Sequence, residues 1–83
     1  MKYIVYKKYE DTTIETLFIF PETENHSDVF AQVKTYAGTI ISAGFVYKDG
    51  NGELYCTGKS YTCDVSSRGE VDTKLLNSML ERM

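Results

Sequence analysis

The chain has no tryptophan, one proline, one histidine and two cysteines among its 83 residues. Two cysteines make no disulfide framework, so the 42% apolar content has to build the core alone. A zinc site takes about four ligands, and beyond Cys56, Cys63 and His26 only scattered carboxylates are on offer, so no metal or cofactor is expected. No apolar run approaches the roughly eighteen residues of a membrane span, and the apolar stretch within residues 1–8 is too short for a signal peptide. The expectation is therefore a cytoplasmic protein with no membrane partner. A basic surplus is missing too: nine Lys and Arg face twelve Asp and Glu, for a net charge of −3. Phosphate neutralisation supplies most nucleic-acid affinity, so this balance counts against a nucleic-acid partner. Repeats, low-complexity tracts and Pro/Gly linkers are lacking, and the length suits one hydrophobic core. Residues 1–83 read as a single domain.

What the chain does have is aromatic residues, seven Tyr and four Phe, and two alternating hydrophobic periods. Residues 2–9, rich in Tyr, Ile and Val, predict a strand, and Glu10 to Thr13 a polar hairpin turn. Residues 14–20 predict a second strand, with Ile14, Thr16, Phe18 and Phe20 on one face and Leu17 and Ile19 on the other. Apolar residues on both faces predict an interior position in the sheet. Pro21, without an amide proton, ends the strand. Asn25 or Ser27 then caps a helix bearing Val29, Phe30, Val33, Tyr36 and Ala37 at helical spacing, closed by Gly38.

Residues 39–48 predict a third strand, in which Gly44 marks a bulge or a close backbone approach. Asp49-Gly50-Asn51-Gly52 is the strongest hairpin signal in the chain, and residues 53–57 return as a fourth strand. Gly58-Lys59-Ser60 predicts a turn into a short fifth strand over residues 61–65. Ser67 and Glu70 match a capping box, followed by a stripe of Val71, Leu75, Leu76, Met79, Leu80 and Met83. The reading is an α+β fold of order ββα-ββ(β)α: a mostly antiparallel four- to five-stranded sheet with two helices on one face. The other face would stay in water. Tyr3, Tyr6, Tyr47 and Tyr55, with Tyr9, are the candidate interaction surface there, because Tyr gives large contact area at low entropy cost.

Several motifs have a functional and a plain reading. Gly58-Lys59-Ser60 resembles the end of a phosphate loop, but five residues separate Gly52 from Gly58 and a strand follows where a helix is required. Cys56 and Cys63 lie symmetrically about Lys59-Ser60, so a two-residue loop would make them cross-strand neighbours; the plain reading is two reduced thiols. His26 is the one candidate imidazole base, and no spacing supports a triad around it. Lys7 and Lys8 beside Tyr3, Tyr6 and Tyr9 suggest a single-strand-binding sheet, yet on a strand they point to opposite faces and read better as guards of an edge. Ser60, Arg68, Asp72 and His26 form a possible polar cluster, in which Arg68 and Asp72 stand one helical turn apart.

Five pieces occur in order: Phe20-Pro21, His26-Ser27-Asp28, Ser42-Ala43-Gly44-Phe45, Gly58-Lys59-Ser60, and Ser67-Arg68 followed by Asp72 and Leu75-Leu76. Together they resemble small proteins of unknown function encoded in bacteriophage and prophage genomes. The resemblance runs from Phe20 into the last helix. It implies a bacterial cytoplasmic setting and carries over no activity. The function expected first is thus a non-enzymatic protein-interaction module that modulates a host protein, with a second copy of the chain among the candidate partners. A nucleic-acid-associated regulator and a small enzyme centred on Ser60, Arg68 and His26 are the alternatives.

Overall fold

A computed structural model describes residues 1–8, 14–35 and 38–82, with the backbone alone at Thr35. The fold is α+β. Strands β1 (Lys2–Lys7), β2 (Thr16–Phe20), β3 (Thr39–Lys48) and β4 (Leu54–Thr57) form an antiparallel sheet in the order β2-β1-β3-β4. Strands β5 (Lys59–Ser60) and β6 (Val65–Ser66) form a separate two-stranded ribbon. Helix α1 (His26–Thr35) connects β2 to β3, and α2 (Glu70–Glu81) ends the described chain.

β1 is antiparallel to both β2 and β3, so those two run parallel to each other with β1 between them. Helix α1 is the crossover. Alternation along β1 then decides where the helices lie. Tyr3 and Val5 pack with Leu17, Val46, Cys56 and Leu76 of α2. Ile4 packs with Phe20, Ala43, and Val29 and Phe30 of α1. The helices therefore cover opposite faces of the sheet, which corrects the expectation of two helices on one face. The physical reason is that both faces of β1 and β2 are apolar, and each needs its own cover. The same fact corrects the position of β2. Its two apolar faces come from a helix on either side, and the strand itself is an edge; β1, with its lysines, is interior.

The hairpin at Asp49 forms as expected. The Asp49 carboxylate accepts the amides of Asn51 (2.8 Å) and Glu53 (3.0 Å), while Gly52, at φ 82°, closes the turn onto the Asp49 carbonyl. Gly44 is a close-approach glycine: a Cβ there would stand 2.4 Å from the Thr57 carbonyl oxygen. The irregularity in the ladder falls instead between Val5 and Tyr6, opposite Ile41.

Two further expectations change. Lys59 and Ser60 are strand, and residues 61–64 make the turn, with Asp64 left-handed at φ 52° and bound to Lys59 at 2.7 Å. Gly58, at φ 89°, turns the chain out of the main sheet before that hairpin starts. Cys56 consequently packs on the α2 face and Cys63 on the α1 face, both as free thiols. The capping box is also absent: α2 starts after Gly69 (φ 58°) without a side-chain cap, because the Ser67 hydroxyl is engaged elsewhere. The helix is rotated from its apolar stripe, with Asp72 and Leu76 buried and Val71 55% exposed. Tyr9, the turn at residues 10–13, Tyr36, Ala37 and Met83 lie outside the described residues.

Candidate functional site

The rotation of α2 has a cause, and it is polar. Asp72 is fully buried yet accepts the Tyr3 hydroxyl at 2.6 Å, the Arg68 amide at 3.0 Å and Arg68 Nε at 2.8 Å. Tyr3 has one proton and gives it to Asp72, so the 2.6 Å bond between Tyr3 and Ser67 is donated by Ser67. Ser67 Oγ in turn accepts the Gly69 amide at 2.9 Å. On the outer side, the Arg68 guanidinium forks onto both Glu15 oxygens at 2.7 and 3.2 Å. The chain of bonds links β1, the entry to β2 and the first turn of α2.

The charges in this network are set by one another. Burial pushes the Asp72 carboxyl up, but the bonds from Tyr3 and the Arg68 main chain outweigh it and hold the group below the usual aspartate range. Glu15 is lowered chiefly by its bonds from Arg68. Tyr3 is raised, by burial first and by the Asp72 bond second, and stays a neutral phenol. Cys56 is pushed up to about 11 by burial, then by the field of Asp72, so it stays a thiol. The Ser42 hydroxyl lies near Asp72, outside hydrogen-bond geometry. Asp72 thus accepts three donors across its two oxygens and exposes no surface. The arrangement is a strut that locks α2 to the sheet, and it is closed to substrate.

Of the four residues in the expected polar cluster, Arg68 and Asp72 meet, while Ser60 and His26 are elsewhere. Ser60 is buried on β5 with its hydroxyl unpartnered. His26 is buried on the α1 side, with Nε2 3.1 Å from the Gly44 carbonyl oxygen; since a carbonyl only accepts, Nε2 carries the proton. Burial lowers its pKa. Glu15 and Tyr3 are network members that sequence reasoning missed. Nothing in the chain connects Glu15 to Arg68 across 53 positions. The placing of Tyr3 in phase with Val5 on one strand face is the signal that was available.

The expected tyrosine surface divides as well. Tyr3 is buried under α2 and exposes no surface, which removes it from any interaction face. Tyr6 is half-buried and lines an open cleft of about 330 Å³ with Lys8, Phe18, Val29 and Gln32. Tyr47 and Tyr55 remain exposed, at 44% and 39%. They end a continuous row of rings on the α1 face. Phe18 stacks on Phe20 (5.9 Å), Phe20 meets His26 edge-on (5.5 Å) and His26 meets Phe45 edge-on (5.7 Å). Phe45 then stacks on Tyr47 (6.1 Å), and Tyr47 reaches Tyr55 on β4 (6.1 Å). In the middle of the row Phe20 and His26 are buried and Phe45 is half-buried, whereas Phe18 at one end and the tyrosine pair at the other are open.

Among the described residues no three His, Cys, Asp or Glu side chains gather as a metal site, and no helix is long and apolar enough to cross a membrane. Comparison with protein-family models, curated proteins and solved structures returned no match.

Proposed function

We propose that the chain is a small non-enzymatic protein-interaction module of the phage or prophage accessory kind, which modulates a host protein by binding it through Tyr47 and Tyr55. The observation that carries this reading is the exposed tyrosine pair, held 6.1 Å apart at the open end of the ring row. Tyr47 is backed by Phe45, Phe45 by buried His26, and Tyr55 rests against Tyr47. Side chains already held in place lose little freedom on binding, and Tyr gives both apolar area and a hydroxyl to a partner. The enzymatic alternative has less support, because the carboxylate and guanidinium of the polar cluster are consumed by their own bonds. A surface of paired rings also suits base stacking, but the net charge of −3 supplies no phosphate attraction.

The test compares immobilised wild-type protein with a Tyr47→Ala/Tyr55→Ala double variant in bacterial host lysate, scored by quantitative mass spectrometry. The variant should keep its urea midpoint and lose at least one protein that the wild type captures. Identical captured sets would contradict the proposal. A salt-sensitive shift of single-stranded DNA or RNA, lost in the double variant, would favour the nucleic-acid reading.

A further inference from the structure

The two edges of the sheet are not equivalent. Met1 and Val46 exchange both backbone bonds, at 3.3 and 2.7 Å, and this fixes the phase of the ladder. Tyr3 and Val5 turn their amides and carbonyls to β3, while Lys2, Ile4 and Tyr6 turn theirs to β2. The β2 partners Phe20, Phe18 and Thr16 therefore point inward, and the amides and carbonyls of Leu17 and Ile19 point out of the sheet. By the same reasoning Leu54 and Cys56 point outward on β4, and there the Cys56 amide is taken by Thr73 Oγ1 of α2 at 2.9 Å. Among the described residues, nothing bonds the outward groups of Leu17 and Ile19.

β2 also has none of the features that guard an edge. Thr16–Phe20 contains no charge, no proline and no bulge, and Phe18 is 47% exposed. The strand matches itself. A two-fold axis through Phe18, perpendicular to the sheet, sets Leu17 against Ile19 of a second copy, so that the outward groups bond reciprocally. Phe18 meets Phe18 of the copy on the α1 side, and Thr16 meets Phe20. Leu17 and Ile19 stay on the α2 side in both copies, so both apolar faces continue across the junction. Charge does not oppose the pairing: Glu15, the next position, falls opposite Pro21 of the copy and already holds Arg68.

We infer that β2 is a homodimerisation edge, at which two copies join their sheets antiparallel about Phe18. This surface is distinct from the tyrosine pair, and the inference does not rest on the function proposed above. Scattering-derived mass, followed from micromolar to millimolar concentration, should rise from 9.5 kDa toward twice that value. Phe18→Lys should hold the mass at the monomer value with an unchanged circular dichroism spectrum, while Tyr47→Ala/Tyr55→Ala should still dimerise. Register is tested by cross-linking in a Cys63→Ser background. Directly opposed non-hydrogen-bonded residues have Cα atoms about 4.5 Å apart, within disulfide reach. Phe18→Cys should therefore couple two copies under mild oxidant, and Thr16→Cys, out of register with itself, should not. Wild-type protein that stays monomeric throughout would overturn the inference. So would a Phe18→Lys variant that dimerises as readily as wild type, or equal cross-linking by the two cysteine variants.

Discussion

Removing the acceptor at the centre of the strut should be the most damaging single change to this domain outside its aliphatic core. Asp72→Ala deletes three accepted bonds, from the Tyr3 hydroxyl, the Arg68 amide and Arg68 Nε. The guanidinium is 28% exposed and keeps Glu15, so water and that carboxylate offset part of its loss. The Tyr3 hydroxyl is buried away from water and keeps only Ser67, so the charge-assisted bond it gave to Asp72 is replaced by a neutral one at best. Breaking a buried charged pair by removing one partner costs about 3–5 kcal/mol. Whole domains have only about 0.05–0.15 kcal/mol per residue, so the variant should sit close to unfolding. Tyr3→Phe removes the charge-assisted bond to Asp72 along with the bond from Ser67, which is left free to re-pair, and should cost about 1.5–3 kcal/mol, a fall in Tm on the order of 10 °C for a domain of this size. Glu15→Ala, at the partly solvated end, should cost about 1 kcal/mol or less. The assay is equilibrium urea unfolding followed by circular dichroism, with the slope checked for constancy. If Asp72→Ala costs less than Glu15→Ala, the strut does not hold α2 and the reasoning fails.

Three further outcomes are expected. The folded-state pKa of Asp72 lies below its unfolded value of about 3.9, and that of His26 below about 6.5. Each group's contribution is therefore complete above its unfolded value and lost as pH falls through its folded value. His26→Gln, which keeps a donor toward Gly44, should flatten the stability profile just below pH 6.5, and an unchanged slope there would assign that titration elsewhere. Leu76→Ala should cost about 2–5 kcal/mol, whereas Val71→Lys, on the exposed side of α2, should move the urea midpoint little; the reverse order would contradict the rotated helix. Mild oxidant should leave the monomer mass unchanged, since Cys56 and Cys63 lie on opposite faces of the sheet, and a loss of two protons would contradict that placement.

Much of the fold is legible locally. Strand and helix periods, the turn at Asp49 and the close approach at Gly44 follow from residues near one another in the chain. Layering is not local in this way. Two apolar faces on residues 14–20 fit an interior strand or an edge strand between two helices, and only the packing of α1 and α2 separates these. Local rules also placed Ser67 as a cap and Val71 in the core. A buried Tyr3 hydroxyl more than sixty positions away competes for Ser67 and Asp72 and turns the helix. Gly58 and Asp64, in left-handed conformations, moved the last hairpin out of the register that would have joined the cysteines. Of the candidate site, Tyr47 and Tyr55 were visible as strand tyrosines. Their separation from buried Tyr3 required knowing which face each helix covers.

The proposed function is tested most directly by hydroxyl-radical footprinting of the tyrosines, in the free protein and in the complex captured from host lysate. Tyr61 serves as the internal control, because it is 84% exposed and stands apart on the ribbon turn. Oxidation of Tyr47 and Tyr55 should fall on complex formation while that of Tyr61 is unchanged. Protection of Tyr61 with Tyr47 and Tyr55 still freely oxidised would place the binding surface elsewhere and contradict the account.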